Sequence, residues 1–176
     1  MSVSIKEYYE ELKKRFEMEA ERLRGVLGSD VIIEHVGSSA VGIGGKNIVD
    51  ILVGVKDVNE MKMVRDKIIP LDYREGHDTH PDRIFMAWRN NDDGSDRETG
   101  EGDYHVHIVV KGSEECMNMI RLRDYLRANP DEAKKYFEMK SVFAKDAGYD
   151  RKKYKALKSS YVGKLIEKAK AEDIGR

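Results

Sequence analysis

Residues 47–55 read Asn-Ile-Val-Asp-Ile-Leu-Val-Gly-Val, a segment aliphatic at almost every position and broken by one carboxylate, Asp50. A run that is apolar at both odd and even positions predicts a strand in a sheet covered on both faces. A lone charge in such a sheet costs on the order of several kcal/mol unless a partner meets it. The fold must therefore bring a cation, a donor group or a metal to Asp50.

The segment before it supplies a candidate. "DVIIEHVG", residues 30–37, predicts a short strand that runs into Gly37-Ser38-Ser39, with Gly42, Gly44 and Gly45 following. Backbone N–H groups in a glycine-rich turn can converge on an anion because no Cβ blocks its approach, and a serine hydroxyl adds a donor. Lys46, just ahead of the Asp50 strand, suits either a phosphate or Asp50 itself.

Around this pair the periodicity predicts a helix over about 5–27, carried by Tyr8, Leu12, Phe16 and Leu23, and another over 57–68, with Val58, Met61, Val64 and Ile68 on one face. Asp72 to Asp82 reads as a polar turn region. "RIFMAW" (83–88) and "YHVHIVV" (104–110) predict a third and a fourth strand, separated by "RNNDDGSDRETGEGD", whose turn formers predict a loop. Beyond Gly112 the pattern is helical: about 113–128, 130–146 and 151–170. Asn129 before Pro130 predicts an N-cap, as does Asp150 before the last helix, where Tyr154, Leu157, Tyr161 and Leu165 form one stripe. One domain results, 1–176, with a sheet core over 1–112 and a helical annex over 113–176.

Charge divides along the same line. Residues 1–110 carry 15 Lys+Arg against 22 Asp+Glu, and residues 111–176 carry 17 against 11, within a total of 32 and 33. The basic residues follow helical spacing and do not cluster, so they do not point to nucleic acid. A single cysteine, Cys116, excludes an intrachain disulfide and a cysteine-rich zinc module. The absence of an apolar run near 18 residues and of a leader-like amino terminus makes a cytoplasmic protein without a membrane span the expectation. Oligomeric state is open at this level.

Strand alternation puts Asp103, His105 and His107 on one face of their strand, and Tyr104, Val106, Ile108 and Val110 on the other. His105 and His107 suit metal ligation, proton transfer or phosphate donation, or are ordinary half-buried histidines. If their strand neighbours that of Asp50, an Asp-His-His cluster shares one cleft. Imidazoles suit a transition metal better than Mg²⁺. His77, Asp78, His80 and Asp82 are ligand types set in a polar turn, and His35 reads as structural.

Eleven residues lie between Ser38 and Asp50. This arrangement resembles the signature of the nucleotidyltransferase superfamily, a Gly-Ser turn followed in the next strand by Asp-x-Asp or Asp-x-Glu. The resemblance implies that Gly37, Ser38 and Ser39 hold nucleotide phosphates and that Asp50 holds a divalent metal, Mg²⁺ or Mn²⁺. It fails in one respect, since Leu52 and Ile48 stand where the paired acid would be.

A resemblance along nearly the whole chain is to the GrpB family of the same superfamily. It is carried by "IEHVGSSAVGIGGKNIVDILVGV", "HPDRIFMAWR", "YHVHIVVKGS", "IRLRDYLRANPDEAKKYFEMK" and "YDRKKYKALKSSYV". It implies an α/β (α+β) fold, a small mixed sheet of four or five strands with a nucleotidyltransferase-like core, an amino-terminal helix and a carboxy-terminal helical bundle. It also implies a nucleotide or phosphorylated small molecule as ligand, with metal-dependent nucleotidyl or phosphoryl transfer, or a binding module that has lost the chemistry. Arg83 and Arg123 stand in matching blocks and suit phosphate, as do Lys140, Arg151, Tyr154 and Lys158. The chain departs from the family in having Val41-Gly42-Ile43 and Lys46-Asn47 where prolines are usual, and Ser39 where Thr is common.

Overall fold

The computed structural model describes residues 5–44, 47–76, 80–88, 103–148 and 150–174. The chain forms two compact units, Met1–Met117 and Asn118–Arg176.

In the first unit, α1 (Ile5–Leu27) leads into β1 (Ile32–Val36), a 3-10 turn at Ser38–Ala40 and β2 (Ile48–Val55). There follow α2 (Val58–Ile68), a second 3-10 turn at Ile69–Leu71, the two-residue β3 (Arg74–Glu75), β4 (Arg83–Trp88) and β5 (Asp103–Val110), and then α3 (Glu114–Ala128) begins. Among the described residues the strands make one mixed sheet in the order β1-β2-β5-β4-β3. β2 and β5 run parallel, and the other pairs are antiparallel. The predicted turn region 72–82 thus contains a short edge strand that polarity hid. The predicted loop at 89–102 lies outside the described residues.

One face of this sheet is the main core. Leu12, Ala20, Leu23 and Leu27 of α1 and Met61, Val64 and Ile68 of α2 pack on Ile33, Val49, Ile51, Val53, Val55, Met86, Val106 and Ile108. These strand residues occupy alternate positions, as a period of two requires. Asp57 caps α2 by accepting from the Glu60 N–H at 2.9 Å, and the Glu60 carboxylate accepts from the Lys56 N–H at 2.7 Å, a close variant of the capping box. Glu19 is buried on α1, where it accepts from the Tyr73 hydroxyl at 2.8 Å and from Nε and Nη2 of Arg22. A buried carboxylate supplied with three donors is a satisfied structural group.

The second unit holds the rest of α3, α4 (Pro130–Asp146) and α5 (Arg151–Ile174). Tyr136 and Phe143 of α4 pack on the Tyr161 ring of α5, with centroids 5.9 and 5.5 Å apart. Two details differ from the periodicity. Asn129 makes no side-chain cap; its amide donates back to the Tyr125 carbonyl at 3.0 Å, an alternative open to any short amide beside a helix end. Leu157 is 38% exposed while Leu165 is buried, so the α5 stripe is sealed at its far end and open in its first half. Asp150 does cap α5, accepting from the Lys153 N–H at 2.8 Å.

Candidate functional site

The sheet face opposite the main core carries the polar cluster. Strand register places Val36, Asp50, His105 and Ala87 in one row across β1, β2, β5 and β4, and Glu34, Leu52, His107 and Phe85 in the next. Directly opposed residues share a face, so Asp50 and both histidines project the same way. β2 and β5 are neighbours, which is the condition the alternation pattern left open.

Gly37 brings the turn against Asp50. Its φ of 69° and ψ of −168° lie where glycine alone is comfortable. A Cβ there would stand 2.7 Å from Asp50 Oδ2, so the turn backbone and the carboxylate are packed as closely as a missing side chain permits. Ser39 then ties the turn to the strand. Its buried Oγ donates to the Val36 carbonyl (3.3 Å), accepts from the Asp50 N–H (3.2 Å) and lies 3.0 Å from His35 Nε2. One hydroxyl has one proton and two lone pairs. All three contacts are satisfied when His35 donates from Nε2.

His35 itself faces the main core, where its ring stacks on Phe16 of α1 at 4.6 Å and 6°. It is a structural histidine, as its place on the strand suggested. Ser38, the neighbour of Ser39, is half-buried. The two serines thus differ in situation although the sequence gives them the same motif.

Asp50 Oδ1 lies 3.5 Å from His105 Nδ1 and 3.5 Å from His107 Nε2. Burial pushes the Asp50 carboxyl up, but hydrogen bonding to the two imidazoles outweighs it and holds the group well below the usual carboxylate range. The charge is therefore answered by the neighbouring strand. Leu52 fills the position two residues on, where the signature has its second acid, and is fully buried. The imidazole beside Leu52 in register, His107, turns diagonally to Asp50.

Phe85 packs against both imidazoles, edge-on to His105 at 4.9 Å and tilted to His107 at 5.4 Å. Gly76 lies on this ring so closely that a Cβ would come within 2.5 Å of it. Neither residue stood out in the sequence; the signal was the pairing of "RIFMAW" with the His-x-His strand, which places Phe85 opposite His107.

Arg83 is on the same face, in register with Val109, four residues or roughly 13 Å along the strand from the Asp50 row. Its guanidinium bonds Glu115 in the first turn of α3, and His80 Nε2 lies 3.3 Å from the same carboxylate. Arg83 is thus engaged with Glu115 and not with Asp50. In the second unit, Arg123 on α3 donates to Asp124 at 2.7 and 3.2 Å. Tyr154 and Lys158 stand on α5, which Arg151 begins, and Lys140 Nζ lies 4.9 Å over the Tyr136 ring. Lys46, His77 and Asp78, and the side chains of Asp103 and Arg151, lie outside the described residues.

Among the described residues the site lacks the paired carboxylates by which the signature holds its metal. Among the described residues no group of three or more His, Cys, Asp or Glu side chains is disposed to hold an ion. Asp50 Oδ1 sits between two ring nitrogens as a shared acceptor, and the second carboxylate is replaced by Leu52.

With this geometry the comparisons with known proteins agree. The GrpB protein family matches residues 2–168. The chain belongs to the GrpB family. A UPF0157 protein of Halalkalibacterium halodurans is 35% identical over 176 residues, covering 97% of this chain and 84% of its own. The crystal structure of the conserved protein GrpB from Enterococcus faecalis aligns with a TM-score of 0.72 at 26% identity, over 90% of this chain and 92% of that one. A Cid1 poly(U) polymerase structure bound to MgATP aligns with a TM-score of 0.51 at 13% identity, over 78% of this chain and 42% of that one. The chain therefore has the nucleotidyltransferase fold of the GrpB family. No helix among the described residues is long and apolar enough to cross a membrane.

Proposed function

We propose that this GrpB protein binds a nucleoside triphosphate, or another phosphorylated small molecule, on the sheet face that carries Asp50, His105 and His107, and transfers a nucleotidyl or phosphoryl group from it. The observation that carries this is the placement of the Asp50 carboxylate between the Gly37 turn and the imidazole pair. The backbone at Gly37 and the Ser38 hydroxyl grip phosphate, while Ser39 is spent on holding the turn. A divalent cation enters with the phosphates as part of the ligand, and no side chain is assigned to it.

A second reading has its own support. Leu52, buried where a second acid is expected, fits a module that kept the pocket and lost the transfer step. Thermal shift with the four ribonucleoside triphosphates and MgCl₂ tests binding: ligand at 100 times Kd stabilises by about 2.7 kcal/mol. Unchanged melting at millimolar nucleotide refutes nucleotide as the ligand in both readings. Release of pyrophosphate or phosphate, lost in Asp50→Asn, separates the enzyme from the module.

A further inference from the structure

We infer that Asp50 fixes the two imidazoles in opposite tautomers, so that His105 Nε2 is the proton acceptor of the transfer reaction and His107 is a positioning residue. The base role rests on the transfer reading above; the tautomer pair stands without it. An ionised carboxylate accepts and never donates. The nitrogens that face Asp50 Oδ1 are Nδ1 of His105 and Nε2 of His107, each at 3.5 Å. Each neutral ring therefore carries its proton on the nitrogen turned to Asp50, and its lone pair on the other.

The two lone pairs have different fates. His107 Nδ1 is buried with no hydrogen-bond partner among the described residues, so it is sealed from any ligand and cannot take a proton from one. His105 is about a quarter exposed, nearly twice as much as His107. Phe85, packed on both rings and backed by Gly76, holds them in place. The arrangement of carboxylate, Nδ1–H and an Nε2 lone pair turned away from that carboxylate is the orientation that lets an imidazole act as a general base. It also explains how a site with Leu52 in place of an acid could activate a nucleophile, since proton removal passes to an imidazole.

In the step, a hydroxyl of water or of a sugar attacks phosphorus of the bound phosphoanhydride. The new O–P bond forms as the bridging P–O bond breaks, and the leaving group takes the bonding pair: pyrophosphate when Pα is attacked, the nucleoside diphosphate when Pγ is attacked, phosphate then being the product of transfer to water. The hydroxyl proton passes to His105 Nε2, and the resulting imidazolium keeps its Nδ1–H toward Asp50 before releasing its extra proton to solvent.

The test uses the full chain. Long-range ¹H–¹⁵N spectra of the imidazoles of the wild-type protein are expected to show His105 as the Nδ1–H and His107 as the Nε2–H tautomer, with the preference lost in Asp50→Asn. The reverse tautomer at His105, or an even mixture, overturns the inference whatever the nucleotide results. Turnover is followed with an equimolar mixture of the four ribonucleoside triphosphates and MgCl₂, in which water and the ribose hydroxyls are the acceptors. His105→Gln is expected to lower release of pyrophosphate or phosphate on the order of a hundredfold or more, while nucleotide affinity stays within about twofold. Equal turnover in His105→Gln overturns the base role. Wild-type protein that binds nucleotide without turnover also overturns it and leaves the binding reading intact, whereas protein that binds no nucleotide overturns the binding reading itself.

Discussion

Replacing Ser39 by alanine removes a single oxygen on which three groups depend. The Asp50 N–H, the Val36 carbonyl and His35 Nε2 each lose a partner, at 3.2, 3.3 and 3.0 Å. A buried polar group left without a partner costs about 1–3 kcal/mol. Asp50 is only part-buried and the Val36 contact is long, so the lower figure applies to each and the sum is about 3 kcal/mol. For a chain of this size that corresponds to a fall in Tm of roughly 6–12 °C. Urea unfolding gives the free energy directly. Ser38→Ala, at the neighbouring half-buried position, is expected to stay within about 0.5 kcal/mol of wild type. Ser39→Thr, which restores the residue common in the family, keeps the hydroxyl and costs less than the alanine. A loss below about 0.5 kcal/mol in Ser39→Ala, or an equal loss in Ser38→Ala, would refute the assignment of the first serine to ligand and the second to structure.

Gly37→Ala puts a Cβ 2.7 Å from Asp50 Oδ2 in a backbone region reserved for glycine; about 1–3 kcal/mol of strain is expected in urea unfolding, together with loss of nucleotide binding. Asp50 titrates below the usual range when folded, so the stability it confers is complete above the unfolded value near 4 and is lost as pH falls toward the lower folded value. Acid unfolding should therefore be steeper below about pH 4 in wild type than in Asp50→Asn, and parallel curves would contradict the Asp50–imidazole pairing. Tyr73→Phe takes one donor from buried Glu19 while Arg22 remains, with an expected loss of about 1.5–3 kcal/mol by urea unfolding.

The elements were legible because their signals are local. The helix of residues 5–27, the strand of 48–55 and the alternation of 103–110 each follow from spacing of apolar residues, and the structure has them within a residue or two. The pairing of Asp50 with His105 was legible only as a condition, because which strands neighbour each other depends on contacts far apart in the chain. Phe85 and Gly76 were hidden for the same reason: a phenylalanine in an apolar strand looks like any core residue until its register with His107 is known. The division of labour between Ser38 and Ser39 was not legible either, since it depends on which hydroxyl the turn rotates inward. Asn129 shows the reverse case, a strong local signal overridden by a carbonyl within reach of its amide.

The proposed chemistry needs one ligand to meet the Gly37 turn and the His105 ring together. Titration of ¹⁵N-labelled protein with ATP and MgCl₂, followed by amide and imidazole resonances, measures this directly. The first and largest shifts are expected at the Gly37 and Ser38 amides and the His105 ring. Shifts that leave these three unmoved at saturating nucleotide would contradict that chemistry.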